Sequence, residues 1–312
     1  MDDTRSFLGS IGLPKGDLHD LPDSAKRFPD GASFRIEIPS TEGPGALEAV
    51  LDEAARRHVT IHRVSQGSGG FLLTDHELDE MVRIANDAQV EVSLFARPTA
   101  SWGTSASARA EIGSAVGAAV HGEEGLVHAL DDIRRSADHG IRSVLISDVG
   151  LLAVFRQMRH RGVLPEDMQA KMSVMLPIAN PATAMVLVDL GANTLNLVTD
   201  LSLAEVAAIR AVVDVPIDFY IEAPDETGGF VRLYELPDLI RVAAPVYVKL
   251  GLRNAPNLYP SGTHLEAMAI ALSRERVRRA QLALELLDRA GSEAEASKPG
   301  AADLAIPVPR AR

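Results

Sequence analysis

Apolar positions along this chain recur with two alternating periods. Eight short runs have the period of a strand: FRIEIPS from Phe34, VTIHRVSQG from Val59, VEVSLFARP from Val90 and RSVLISD from Arg142. The second four are KMSVMLPI from Lys171, NTLNLVTD from Asn193, PIDFYIEAP from Pro216 and PVYVKLGL from Pro245. Between most of them the period lengthens to that of an amphipathic helix, as in GALEAVLDEAARRH (Gly45 to His58) and LAEVAAIRAVV (Leu203 to Val213). Strands that alternate with helices predict parallel pairing through helical crossovers. Eight such units in roughly 250 residues predict a closed (β/α)8 TIM barrel, with a doubly wound sheet as the alternative. Helix exits repeat one cue: ADHGIRSVLIS, VDLGANTLNLV and VVDVPIDFY each place Gly or Pro shortly before the strand.

The pattern covers residues 33–290. Residues 1–32, rich in Pro, Asp and Gly, predict an irregular arm, and residues 291–312 (GSEAEASKPGAADLAIPVPRAR) predict a disordered tail. The third connection, Thr99 to Gly125, is long enough to suggest a lid and contains the only tryptophan, Trp102.

Alternation assigns faces. Phe34, Ile36 and Ile38 suit the helix side of the first strand, which turns Arg35 and Glu37 inward. The same parity turns Glu91, Ser93, Phe95 and Arg97 inward on the third strand. It does so for Lys171, Ser173 and Met175 on the fifth, and for Asp218, Tyr220 and Glu222 on the seventh. Even strands contribute Ile61, Arg63 and Ser65, then Thr194 and Asn196, then Tyr247 and Lys249. Barrel interiors are usually apolar, and this one is charged. Arg35, Glu91, Lys171 and Asp218, alternating in sign, predict a neutral structural ring at the lower end, because buried charges persist when paired.

Barrel active sites sit at the carboxyl ends of the strands. Polar residues gather there: Glu37, Arg63, Gln66, Arg97, Asp148, Asn196, Asp200, Glu222, Lys249 and Arg253. Glu222, Lys249 and Glu37 are the candidates for catalysis, since a carboxylate or a desolvated lysine can exchange protons. Arg63, Gln66, Arg97, Asp148, Asn196, Tyr220, Arg253 and Asn254 are the candidates for holding substrate. Lys249 also suits a Schiff base, and the alternative to both is a non-catalytic ligand-binding barrel. GLRNAPN (Gly251 to Asn257) supplies backbone N–H groups where barrels bind phosphate or carboxylate, and SQGSGG (Ser65 to Gly70) is a turn that can approach a ligand closely.

Composition narrows the partners. The 312 residues are 46% hydrophobic, enough for a large core, and the formal charge of −12 argues against nucleic acid. No apolar run reaches the length of a membrane span, and the start MDDTRSFLGSIGLP lacks a signal-peptide pattern, so a cytoplasmic protein is expected. With no cysteine, the sequence excludes disulfides, iron–sulfur clusters and cysteine nucleophiles. The nine histidines offer no spaced pair that would fix a zinc site, and HExxH and GxSxG are absent. Glu37, Asp148 and Glu222 would form an oxygen set suited to magnesium or manganese. The expected partner is a small polar or anionic molecule, with self-association left open.

FRIEIPS…GALEAVLDEAARRHVTIHRVSQGSG, with YIEAPDETGGFVR and VYVKLGLRNAPNLYPSGTHLE, resembles the U-32 (collagenase-like) peptidase family over roughly residues 33–290. The resemblance implies a TIM barrel and a hydrolase. The cysteine-bearing signature of better-known members is missing, so no catalytic residue carries over from it.

Overall fold

A computed structural model describes residues 2–102 and 117–310. Eight parallel strands close into a barrel in chain order. They are β1 (Phe34–Pro39), β2 (Arg63–Gln66), β3 (Glu91–Phe95), β4 (Ser143–Ile146), β5 (Gln169–Met172), β6 (Thr194–Asn196), β7 (Ile217–Glu222) and β8 (Val246–Leu250). Closure pairs β1 with β8, Phe34 opposite Val246 and Glu37 opposite Lys249. The doubly wound alternative is thereby excluded.

Helix α1 (Asp2–Ser10) precedes the barrel. The outer layer is built from α2 (Pro44–Arg57), α3 (Asp75–Ala88), α4 (Gly122–His139), α5 (Val149–His160), α6 (Pro181–Asp189), α7 (Leu203–Val212), α8 (Leu236–Ala243) and α9 (Glu266–Arg289). Local sequence fixes several of their starts. Thr74 with Glu77 and Ser202 with Glu205 form capping boxes on α3 and α7, so orphan N–H groups of the first turn are satisfied within the segment. The Asp148 carboxylate accepts from Leu151 N and caps α5. The apolar core lies between the sheet and these helices: Ile36, Ile38, Val64, Val92, Val144 and Phe219 join Leu47, Met81, Ile133, Phe155 and Ile209. Among the described residues, no helix is long and apolar enough to cross a membrane.

Two expectations about the flanks need correction. Residues 2–10 are helical, although no side chain of α1 is buried. The segment after α9 is packed through residue 310, not disordered. Ala296 bridges Phe34, and Ser297 N donates to Phe34 O at 3.1 Å. Ala301 and Leu304 pack with Phe28, Ala32 and Tyr247 under the barrel. Val308 N donates to Gly140 O. The composition of the tail is poor in large apolar residues, but the lower mouth of a charged barrel offers polar groups that need partners. Asp303 binds Arg35 through both carboxylate oxygens, at 3.0 and 2.6 Å, and Ala305 N donates to Glu91 Oε2 at 3.3 Å.

The predicted ring of Arg35, Glu91, Lys171 and Asp218 is therefore not formed. Arg35 and Glu91 turn to the tail, whereas Lys171 and Asp218 join Glu37 and Arg63 one level higher. The tail supplies the counter-charge that the odd strands were expected to supply. Residues 103–116 of the third connection lie outside the described residues, and with them most of the expected lid.

Candidate functional site

The strands project a charged cluster into the barrel, centred on Glu37 of β1. Its Oε1 accepts from Ser65 Oγ at 2.8 Å and from Lys171 Nζ, with Lys249 Nζ at 3.3 Å from the same oxygen. Its Oε2 accepts from Arg63 Nε at 2.7 Å. Burial pushes the Glu37 carboxyl up, but Arg63, Lys171 and Lys249 together hold it well below the usual carboxylate range. Arg63 also binds Asp218, lies 3.6 Å from Glu91 and stacks 3.5 Å above the Tyr247 ring. Lys171 reaches Asp218 at 3.1 Å; burial and the nearby Arg63 push its ammonium down to about 8 against the pull of the carboxylates. All of these side chains are almost fully enclosed.

Above the cluster, at the carboxyl ends of the strands, lies a cavity of about 350 Å³. Lys249, Asn196, Ser65 and Tyr220 form its polar floor, with Ser173 beside them, and Phe95, Leu145, Val174 and Met175 give it apolar wall. Lys249 Nζ sits 4.3 Å from the centre of the Tyr220 ring. The Asn196 Oδ1 atom has no hydrogen-bond partner among the described residues. Burial raises the Tyr220 and Tyr259 phenols above their ordinary range, so both hydroxyls keep their protons at neutral pH.

Arg97 enters from the end of β3. Its guanidinium is stacked between Phe95, 4.0 Å from the ring centre, and Trp102, at 4.1 Å. Nε donates to Gly67 O at 3.2 Å and NH1 to Thr99 Oγ1 at 2.6 Å. Among the described residues no carboxylate pairs with it, and burial pushes it down to about 10. The loop beneath it is held by Glu42, which accepts from Gly67 N at 2.7 Å and Ser68 N at 3.2 Å. A Cβ on Gly67 would come within 2.3 Å of the Tyr259 ring, so only glycine lets that tyrosine close the wall.

The predicted site residues separate into three groups. Lys249, Gln66, Arg97, Asn196 and Tyr220 line the cavity, although the Gln66 amide is bonded to Gly69 N and O within its own loop. Glu37 and Arg63 lie below the floor, where Arg63 is enclosed by carboxylates and faces no open space. Asp148, Glu222, Arg253 and Asn254 lie elsewhere. Asp148 caps α5 and accepts from Val120 N. Arg253 and Asn254 are exposed beside Asp225. Strict alternation fails at Glu222 because β7 bulges between Tyr220 and Glu222. Its Oε1 accepts from Arg253 N at 3.1 Å, and Oε2 lies 3.2 Å from Arg279 Nε on α9. Lys249 meets Glu37, and Glu222 does not reach it. Glu37, Asp148 and Glu222 consequently do not converge, and the described residues contain no group of three His, Asp or Glu placed to hold a metal.

Sequence reasoning missed Tyr259, Glu226 and Thr227 as lining residues. An aromatic residue among turn formers in NLYPSG was the available signal for Tyr259.

Residues 104–223 match the sequence profile of peptidase family U32. No curated protein matches the chain. Among solved structures, the chain is similar to the U32 peptidase Mk0906, at 16% identity over 64% of this chain and 73% of that one, with a TM-score of 0.41. It is also similar to a truncated 3-deoxy-D-arabino-heptulosonate 7-phosphate synthase from Thermotoga maritima, at 14% identity over 89% and 96%, with a TM-score of 0.45. A dimeric archaeal Rubisco from Hyperthermus butylicus gives 13% identity over 83% and 66%, with a TM-score of 0.45. The chain is thus a closed eight-stranded parallel barrel without cysteine, and its residues 104–223 are similar to peptidase family U32.

Proposed function

We propose that the cavity is the active site of an enzyme acting on a small anionic molecule, with Lys249 as the acid–base group and Arg97 as the anchor for a carboxylate or phosphate. One observation carries this reading: a buried lysine at the cavity floor shares its carboxylate with a second lysine, while a buried arginine in the wall has no carboxylate among the described residues. A cation whose counter-charge is already engaged is suited to giving up or accepting a proton. Stacking fixes the plane of Arg97, and a fixed fork suits planar anions. The protonated Tyr220 hydroxyl and the open Asn196 Oδ1 would orient polar groups of the ligand. Glu222, committed to Arg253 N and Arg279, is left out of this assignment.

A second reading, favoured by the crowding of Lys171 against Lys249, has Lys249 acting as a nucleophile on an oxo-acid. Its neutral amine would attack the carbonyl carbon, the carbonyl oxygen would leave as water, and a C=N bond would form.

The test screens small carboxylates and phosphates for a rise in melting temperature, then assays the binders for turnover with wild-type protein and Lys249→Met. Loss of turnover in a folded variant is expected. Turnover equal to wild type would sink the assignment. Borohydride with bound oxo-acids, read by intact mass, separates the two readings: a reduced adduct on Lys249 selects the nucleophile, and turnover without an adduct selects the acid–base role.

A further inference from the structure

The proposed reaction uses Lys249, yet the cluster beneath the cavity contains a second amine that touches no cavity surface. Lys171 reaches the Glu37 oxygen that also faces Lys249, and it extends to Asp218 Oδ2 at 3.1 Å. A carboxylate oxygen offers about two lone-pair sites to its donors. Here Oε1 of Glu37 meets Ser65 Oγ and two ammonium groups, while Arg63 occupies Oε2. Three cations and two carboxylates therefore share the cluster, with Glu91 as a more distant third, 3.6 Å from Arg63. No further acidic group pairs with either lysine among the described residues. Arg63 cannot release a proton at physiological pH, so any relief of crowding falls to the two lysines.

We infer that Lys171 is a positioning residue for Lys249 and its proton partner, the two amines exchanging one proton through Glu37 Oε1. Resting on the assignment of Lys249 as the working amine, the step balances within the site. The Lys249 ammonium gives a proton to Oε1, the same oxygen passes it to the neutral Lys171 amine, and Glu37 ends as the carboxylate it began as. Net charge in the cluster is unchanged, so a proton can leave Lys249 without crossing the apolar layer or entering solvent. The groups facing Lys171 are Glu37 on β1, Arg63 on β2, Asp218 on β7 and Lys249 on β8; burial and the two cations disfavour its charged form, and the two carboxylates favour it. The downward shift to about 8 fits an amine that is part neutral near physiological pH.

The chain has five lysines, Lys15, Lys26, Lys171, Lys249 and Lys298, so a protein labelled with 13C at lysine Cε gives a spectrum simple enough to assign by single replacement. The Lys171 signal is expected to titrate near pH 8 in the wild type, without substrate. In Lys249→Met it should move up by about one unit or more, because a like charge is gone and Glu37 Oε1 is less shared. A Lys171 signal that titrates at the same pH in both proteins would overturn the pairing. So would one that titrates in the wild type with the exposed lysines. Should Lys249→Met fail to fold, the wild type suffices: coupling requires a step in the Lys249 signal at the pH where Lys171 titrates, and a curve without that step refutes it. Because the titration needs no substrate, it can fail while Lys249→Met still abolishes turnover, or succeed while turnover survives.

Discussion

Arg97 has surroundings unlike those of an ordinary surface arginine. Phe95 and Trp102 hold its two faces, Thr99 and Gly67 take two of its donors, and the rest of its fork borders the cavity. Replacing it with Ala should raise KM for an anionic substrate about 10- to 100-fold, the worth of a charge-assisted hydrogen bond, with kcat changed far less. Steady-state kinetics on the wild type and Arg97→Ala check this. Arg97→Lys should not restore affinity, since an ammonium cannot fill the flat slot. Alternation turns Arg97, Asn196, Tyr220 and Lys249 to the interior, and all four line the cavity, because β3, β6, β7 and β8 run without irregularity up to those positions. It failed for Glu222 because one bulge shifts parity, and no residue in FYIEAP announces a bulge. Arg63 was read as a mouth residue from its strand position alone. Its actual neighbours, Glu37 and Asp218, come from β1 and β7, and no spacing along β2 reveals them.

At the scale of elements, the strands and helices were legible from period and caps, whereas the segment after α9 was not. Its composition reads as that of a soluble, unstructured chain, but its fold depends on partners distant in sequence: Phe34, Arg35, Glu91 and Gly140. The best test of its role is Asp303→Asn. The change keeps shape and removes the charge opposite Arg35, which is 1% exposed. Asp303 itself is about one-third exposed, so water softens the loss, and a destabilisation of about 2 kcal/mol is expected from urea melts. A change within error of zero would mean that the tail is held by Ala301, Leu304 and its backbone bonds alone.

The molecule as a whole departs from the usual barrel by filling the centre with charge where Val, Ile and Leu are customary. Such an interior holds only while every charge is answered, so Glu37→Gln should cost about 3–5 kcal/mol at neutral pH. The cost should depend on pH in a fixed direction. The folded-state pKa of Glu37 is depressed, so its contribution is full above the unfolded value of about 4.3 and is lost as pH falls through the folded value. Urea midpoints of wild type and variant should therefore approach one another as pH drops below about 4, and a gap that stays constant to pH 3 would contradict the assignment. The contact between Arg35 and Asp303 has a consequence for the growing chain. The two residues are 268 positions apart, so a ribosome completes all eight strands before it makes the acid that neutralises the first of them. A nascent chain stalled at the end of α9 would carry Arg35 and Glu91 at an open lower mouth, and the first strand synthesised is among the last to be settled.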